Sequence, residues 1–524
     1  MLNCTPLPGM CESVEQFPTE MGANMAKIQK VLIANRGEIA VRVMRTCREM
    51  GITSVAVFSE ADRRAPHVLA ADEAYCIGPA VASESYLKMD TIIDVAKMAG
   101  ADAIHPGYGF LAENREFAKR VMDSGLIFIG PLPDTIHLMG SKTESRKRMM
   151  DAGVPVVPGA RESVETVAAA EKLVEQLGGY PVLIKAAAGG GGKGMRTVRK
   201  SAELARAFEA ARGEALKAFG DDTIYIEKFI ENPKHIEFQI IADNHGNAVH
   251  LWERDCSVQR RHQKVIEECP SMALTPEIRE AMGNVAVQAA KACNYRNAGT
   301  VEFLFDNGEF YFLEMNTRLQ VEHPVTEMVM GLDLVKLQIE VAEGSPLPFV
   351  QEDLKPRGWA FECRINAEDV FNNFVPTTGK ITHLKLPEGP GVRVDSGIAA
   401  NSEISRYYDP MAGKLIVWAE DRNSAIKRMK RALEEFQIEG IKTTIPFCLL
   451  VLDHPSFIDG SFTTKFVDNY WAELQSKSAI DPDIAEVIAV AVAHHRDAQK
   501  MPQNGVAHAK QLPPASTWKL QMIK

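Results

Sequence analysis

Nowhere in the 524 residues does an apolar run approach the roughly 18 to 20 positions that span a bilayer, so no membrane helix and no membrane partner are expected. No two cysteines are spaced C-x-x-C and none stands beside a histidine ladder. Nine is also an odd count, so neither a zinc site nor a disulfide framework is indicated, and a reducing compartment, the cytoplasm, fits best. Basic charge is not in excess: 59 Lys and Arg stand against 69 Asp and Glu, a net charge of −10. A nucleic acid would meet a repulsive field unless a local basic face overcame it, and it is set aside as a partner. There is no internal repeat. Residues 1–27 lack both the basic and apolar regions of a secretory signal and the Arg-rich, acid-poor make-up of a transit peptide, and they are expected to form a disordered leader, with Met21 and Met25 as later starts.

What is present is globular: 46% hydrophobic and 24% charged residues, in a chain long enough for roughly two to four domains. From 28 to 130 strand and helix patterns alternate, with strands over 31–34, 55–58, 103–105 and 126–129 and helices between them, which predicts a doubly wound parallel sheet. Ligands of such sheets gather at the carboxyl ends of the strands, here Asn35-Arg36-Gly37-Glu38 and His105-Pro106-Gly107-Tyr108-Gly109. A short helix after Pro133 is expected to hold Lys142, and a small α/β piece over about 162–230 reads as a lid. Beyond it hairpin signals dominate, Asn244-His245-Gly246-Asn247 and Asp306-Asn307-Gly308, so the third part is predicted mixed and antiparallel. A helical, then Pro, Gln and Ala-rich tail closes the chain.

Gly189-Gly190-Gly191-Gly192-Lys193-Gly194 lies between two predicted strands. Consecutive glycines let backbone amides wrap phosphate oxygens, and Lys185 and Lys193 add charge. It is not a P-loop, because Ala187 and Gly194 replace the first glycine and the metal-binding hydroxyl. Gly107-Tyr108-Gly109-Phe110-Leu111-Ala112 matches a dinucleotide fingerprint but follows the wrong strand, and is read as a tight turn presenting Tyr108. The run Glu253-Arg254-Asp255 with Gln259-Arg260-Arg261-His262-Gln263-Lys264 leaves two readings open, a surface charge run or a set of anion donors.

The densest signal is Glu314-Met315-Asn316-Thr317-Arg318-Leu319-Gln320-Val321-Glu322-His323. Glu314, Asn316 and Arg318 share one strand face, with Glu302 on the preceding hairpin strand. Two carboxylates and an amide carbonyl are hard oxygen ligands suited to magnesium. A plain two-residue turn at Asn307-Gly308 would set Glu302 against Leu313 and put the two carboxylates on opposite faces. A type I turn with a G1 bulge, left-handed at Gly308, is therefore expected; it would bring both carboxylates to one face and leave Val301, Phe303, Phe305, Tyr311 and Leu313 on the other.

The order Lys142, Lys185 with the glycine loop, Glu227-Lys228-Phe229-Ile230, Glu302 and Glu314-x-Asn316-x-Arg318 resembles the ATP-grasp enzymes. Ile33-Ala34-Asn35-Arg36-Gly37-Glu38, His105-Pro106-Gly107-Tyr108-Gly109-Phe110-Leu111, Arg260-Arg261-His262-Gln263-Lys264, Gln320-Val321-Glu322-His323-Pro324 and Glu362-Cys363-Arg364-Ile365-Asn366-Ala367-Glu368 resemble biotin carboxylase, over roughly 27–468. The resemblance implies an α/β and α+β ATP-grasp fold: leader 1–27, Rossmann-like domain 28–140, ATP-grasp domain 141–355 with its lid at about 157–230, C-terminal domain 356–470 and tail 471–524. It also implies a set of roles. Lys142, Lys185 and the glycine flap Gly189 to Gly194, Lys193 included, hold ATP phosphates, while Glu227, Lys228 and Ile230 line the adenine and His235, Gln259 and His262 lie close to the nucleotide. Glu302, Glu314 and Asn316 hold magnesium or manganese. Lys264, Arg318, Gln320 and Val321 hold bicarbonate, which Glu322 deprotonates; Arg364 steadies the biotin enolate, and Tyr108 and Gly109 meet the biotin ring.

With no Met-Lys-Met biotinyl motif in the sequence, biotin is expected on a separate carrier protein; a carboxyltransferase is the further partner expected, and a homodimer the assembly. Acetyl-CoA carboxylase is the first expectation for the whole reaction, ahead of propionyl-CoA or pyruvate carboxylase. A carbamoyl phosphate ligase would show a duplicated half, and a nucleotide sensor without turnover could dispense with Glu322 or Arg364.

Overall fold

The computed structural model describes residues 27–160, 163–186 and 195–477. The expected leader, the glycine loop 187–194 and most of the expected tail lie outside them.

Continuous apolar runs buried on both faces form β1 (Lys30–Ile33) and β2 (Thr53–Ser59). With β3 (Glu73–Gly78), β4 (Ala103–His105) and β5 (Ile127–Phe128) they make a parallel sheet in the order β3-β2-β1-β4-β5. β3 escapes the periodicity reading because it is an edge strand whose residues are mostly half-buried or exposed. The order reverses between β1 and β4. There Asn35 Nδ2 donates to Pro106 O (2.8 Å) and Tyr108 O (2.7 Å), tying together the loops that leave the two strands. A Cβ at Gly107, where φ is +64°, would stand 2.9 Å from that amide nitrogen, so the close approach depends on glycine.

One correction concerns Lys142. The stretch after Pro133 is two helices, Pro133–Gly140 and Lys142–Asp151, and Lys142 opens the second; Ser141 caps it, its hydroxyl accepting from the Glu144 amide.

β6 (Val182–Ala186), β7 (Met195–Val198) and β8 (Ile224–Lys228) form a small antiparallel sheet in the order β7-β6-β8, covered by the helix Ser201–Phe219. Its inward face carries Val182, Ile184, Val198, Ile224 and Ile226 against Leu204, Phe208 and Ala211.

β9 (Lys234–Ala242), β10 (Ala248–Arg260), β11 (Gln263–Cys269), β12 (Asn297–Asp306), β13 (Glu309–Asn316) and β14 (Trp359–Asn366) belong, with Val392–Ser396 and Met411–Ala419, to one eight-stranded antiparallel sheet that runs across position 355. Its order is β13-β12-β9-β10-β11-β14, then Met411–Ala419 and Val392–Ser396. One face packs Ile236, Phe238, Ile240, Val301 and Phe303 against the helix Pro276–Ala292.

The β12–β13 hairpin corrects the turn expectation. Gly308 has positive φ (84°) as predicted, but Asn307 is also left-handed (51°) and Asp306 pairs with Glu309, which makes a plain two-residue type I′ turn. Pairing holds that register to Phe303 with Phe312. A bulge then inserts Leu313, and Glu302 faces Glu314. The carboxylates reach one face by a bulge deep in the strand. The same bulge changes the apolar set, since Phe310 and Phe312 join Val301, Phe303 and Phe305, while Tyr311 and Leu313 do not.

Candidate active site

β9 reads polar and apolar in strict alternation, His235, Glu237 and Gln239 on one side and Ile236, Phe238 and Ile240 on the other, yet every residue of it is buried. The polar side is therefore an interior surface. Register lines up Glu314, Glu302, Glu237 and Arg254 across β13, β12, β9 and β10. Farther along the sheet Glu267 faces Glu362, and Arg364 faces Lys414 of the strand Met411–Ala419. Arg254, the largest fully buried side chain, donates to Glu237, Gln239, Thr300 and Thr326. The surface reading of Glu253-Arg254-Asp255 is thus overturned: a bulge after His250, with Trp252 at φ 68°, keeps three consecutive charged residues inside.

Lys264 Nζ has three N–H donors and uses them on Glu237, Glu302 (2.8 Å) and Glu322 (2.8 Å). Burial alone would lower its pKa, but the three carboxylates hold it well above the usual lysine value, so it stays an ammonium. Glu322 immediately precedes the helix His323–Met330 in a position closed to solvent, and its carboxylate makes no cap bond to that helix; its second oxygen accepts from Arg364 Nη2 at 2.9 Å. Burial would raise its pKa, but Lys264, Arg364 and Arg254 keep it well below the carboxylate range. Arg364 also donates from Nε to Glu267 (2.6 Å). Burial and the charge of Glu322 push Glu267 up to about 7 against the pull of Arg364.

Glu302 accepts from Lys264, Asn316 Nδ2 (2.9 Å) and Gln320 Nε2 (2.9 Å), and His235 Nε2 lies 2.9 Å from its other oxygen. Glu314, directly opposite, takes no hydrogen bond from a described residue. Two facing carboxylates, one of them unpartnered, with an amide oxygen on the next same-face position fit a hard divalent cation. His235, Glu237 and Glu302 also bring one ligand atom each within 4.8 Å of one another. Arg318 spans the gap to the parallel-sheet domain: Nε donates to Glu113 (2.8 Å), Nη1 to Gln320 Oε1 (2.7 Å) and Nη2 to Asn316 Oδ1 (3.2 Å).

On the lid, Lys185 pairs with Glu227, and Lys142 lies in the field of Glu314, Lys185 and Glu227. Burial lowers the Lys142 pKa first, and Lys185 lowers it further. Lys228 ends the strand that carries Glu227, and Ile230 lies two residues past it. Gln259 is buried and spends its Nε2 on Cys256 O (2.8 Å), while Arg261 and His262 form the exposed tip of the β10–β11 turn. Val321 O accepts from the buried Lys414 Nζ (2.6 Å), which also lies 3.1 Å from Glu38 Oε1; Glu38 in turn takes the phenol of Tyr108, beside Gly109 at φ 68°. The expected flap, Gly189 to Gly194 with Lys193, lies outside the described residues.

Family models for the biotin carboxylase N-terminal domain, the carbamoyl-phosphate synthase L chain ATP binding domain and the biotin carboxylase C-terminal domain match residues 27–136, 141–350 and 362–469. Biotin carboxylase 1 of Bacillus subtilis is 56% identical over 445 residues, 84% of this chain and 99% of that one. The chain belongs to the biotin carboxylase family. A pyruvate carboxylase subunit of Methanothermobacter thermautotrophicus is 55% identical over 88% of this chain and 92% of its own. The biotin carboxylase domain of Hydrogenobacter thermophilus 2-oxoglutarate carboxylase, solved as a dimer with MgADP, ADP and bicarbonate, superposes with a TM-score of 0.81 at 50% identity, over 86% of this chain and 99% of that one. ATP-dependent carboxylation of biotin is the activity that goes with this membership.

Sequence reasoning missed Glu237, Glu267, Glu113 and Lys414. The first had a signal, since His235, Glu237 and Gln239 alternate with large apolar residues, a pattern in which the polar face must go somewhere. Lys414 sits singly in an apolar strand, where one charge gives no period, and Glu267 stands next to Glu268, so that its strand shows no alternation. Glu113 comes from a distant loop and meets Arg318 only through the fold.

Proposed function

We propose that Glu322 is the base that takes the bicarbonate proton, with Lys264 and Arg318 gripping the anion and Gln320 and the Val321 backbone completing its seat. The supporting observation is the burial of Glu322 between Lys264 (2.8 Å) and Arg364 (2.9 Å). A carboxylate held that low is a weak base at rest. As bicarbonate draws Lys264 toward itself, Glu322 loses part of its stabilising charge and gains basicity where the proton must be removed. Bicarbonate oxygen then attacks the γ-phosphate of ATP, ADP leaves, and carboxyphosphate forms.

Lys142, Lys185 and the flap with Lys193 neutralise the phosphates in this scheme, with Glu227, Lys228, Ile230, His235, Gln259 and His262 around the nucleotide. Magnesium or manganese, which Glu302, Glu314 and Asn316 would hold, supplies further positive charge to the phosphate oxygens. Carboxyphosphate breaks to CO2 and phosphate, phosphate takes the biotin N1′ proton, and the enolate attacks CO2. Arg364, charged at every working pH, faces the enolate, with Tyr108 and Gly109 at the biotin ring.

The biotin comes on a separate carrier protein and is passed to a carboxyltransferase subunit, with the chain as a homodimer in the cytoplasm. Acetyl-CoA is the proposed final acceptor. A keto acid is the second reading, favoured by the pyruvate and 2-oxoglutarate carboxylases among the relatives. Purified protein is expected to hydrolyse ATP only when bicarbonate and free biotin are both present; hydrolysis independent of bicarbonate sinks the reading.

A further inference from the structure

A cavity of about 340 Å³ lies where β5, the turn after β9 and the end of the helix Leu334–Ala342 meet the residue just before β12. Met122, Leu126, Phe128 and Val341 give it apolar walls, Asn244 and Arg296 give it polar ones, and no carboxylate lines it. Glu302 is six residues along β12 from Arg296, roughly 20 Å at strand rise, so the cavity is separate from the bicarbonate site.

Arg296 is what makes the cavity unusual. The buried arginines Arg42, Arg254 and Arg422 and the half-buried Arg364 and Arg393 each pair with a carboxylate. Arg296 is half-buried, yet it has no hydrogen-bond or ion-pair partner among the described residues. Its burial disfavours the charged form with nothing to offset it. A guanidinium presents five N–H donors in a flat fork that matches a carboxylate, and those of Arg296 are spent on no described residue and stay open to a ligand in the cavity. Asn244 spends one N–H on Val341 O (2.9 Å) and has a second to give.

We propose that this cavity binds a small organic carboxylate with a short apolar tail, the carboxylate on Arg296 and Asn244 and the tail against Met122, Leu126, Phe128 and Val341. An inorganic anion would leave the apolar walls unused, and a neutral apolar molecule would leave the guanidinium unmatched. The volume is at the low end for small-molecule sites, which limits the tail to a few carbons.

Calorimetric titration of the full chain with butanoate and hexanoate tests this, using butanamide and inorganic phosphate as comparisons and ATP saturating throughout. Saturable binding of the carboxylates is expected, at least about tenfold tighter than either comparison. Arg296→Gln is expected to weaken it at least about tenfold while biotin-stimulated ATP hydrolysis is unchanged, which shows that the variant folds. Ala342→Leu, which fills the cavity with Arg296 in place, is expected to weaken hexanoate more than butanoate. Equal binding by Arg296→Gln, equal binding of butanamide, tighter binding of phosphate, or no saturation by about 50 mM carboxylate overturns the proposal.

Discussion

In the lid, β6 to β8 turn Val182, Ile184, Val198, Ile224 and Ile226 toward the helices Val167–Gln176 and Ser201–Phe219, and Lys185 and Glu227 pair on the opposite, partly open face. In the central sheet an equally regular face is covered over Glu302, Glu237, Arg254, Lys264, Glu267, Glu362 and Arg364. The lid is held by apolar burial, which is insensitive to direction and survives small displacements. Charges inside the sheet are tolerable only while each partner keeps its place, because an unmatched buried ion costs several kcal/mol. A lid built the first way can move over ATP as a unit. A catalytic floor built the second way has one arrangement, which substrate anions and a cation can re-pair but not loosen.

The largest expected effect comes from breaking the floor at its chemical centre. Glu322→Gln keeps the size of the side chain and removes the proposed base, so bicarbonate-dependent ATP cleavage should fall by about 10² to 10⁴ with ATP affinity intact. A near-normal rate would transfer the role to another carboxylate, Glu237 being the nearest on Lys264. Arg364→Ala, by contrast, should spare ATP cleavage more than biotin carboxylation; equal loss in both assays would place Arg364 in the first half-reaction.

Next is the scaffold of the floor. Arg254→Ala leaves Glu237 with one cation and the helix His323–Met330 without its tie at Thr326, and should cost about 3 to 5 kcal/mol in denaturant unfolding. The lid counterpart, Leu204→Ala, should cost about 2 to 5 kcal/mol but act on the lid sheet, read as faster proteolysis or amide exchange over 163–186 and 195–228 with exchange in β9 to β12 unchanged. Exchange rising equally in both regions would abolish the distinction between them.

The same contrast governs what was legible in the sequence. Apolar periodicity placed β1, β2, β4 and the lid strands because those elements are stabilised by what periodicity measures. Strand parity showed that Glu302 and Glu314 needed one extra residue between them to share a face, but not where. Nothing in Phe310 to Leu313 marks a bulge, since any of those residues fits a pleated strand, whereas Asn307-Gly308 is the standard signature of a tight turn and drew the irregularity to itself. Glu253-Arg254-Asp255 defeated sequence reasoning for a different reason: consecutive charges look solvated until partners from β9, β12 and the helix after Glu322 are brought to them.

The smallest expected effect is one of pH, and it isolates a single buried charge. Glu267 faces Glu362 across β11 and β14, and both are closed to solvent. The Oε2 atom of Glu267 and both oxygens of Glu362 find no hydrogen-bond partner among the described residues. Burial raises Glu362 well above its ordinary value and Glu267 to about 7. An acid whose folded pKa lies above its unfolded one binds protons more tightly when folded. Its favourable contribution is therefore complete at low pH, is lost as pH rises through the window from about 4.5 to 7, and is flat beyond it. Glu267→Gln mimics the protonated form and keeps the acceptor for Arg364 Nε, so it should gain stability relative to the native chain as pH goes from 5 to 8, by an amount on the order of 1 kcal/mol. Urea midpoints for the two proteins across that range provide the measurement. A constant difference would mean that Glu267 stays ionised throughout, with Arg364 neutralising it fully and less of the guanidinium's charge left for Glu322.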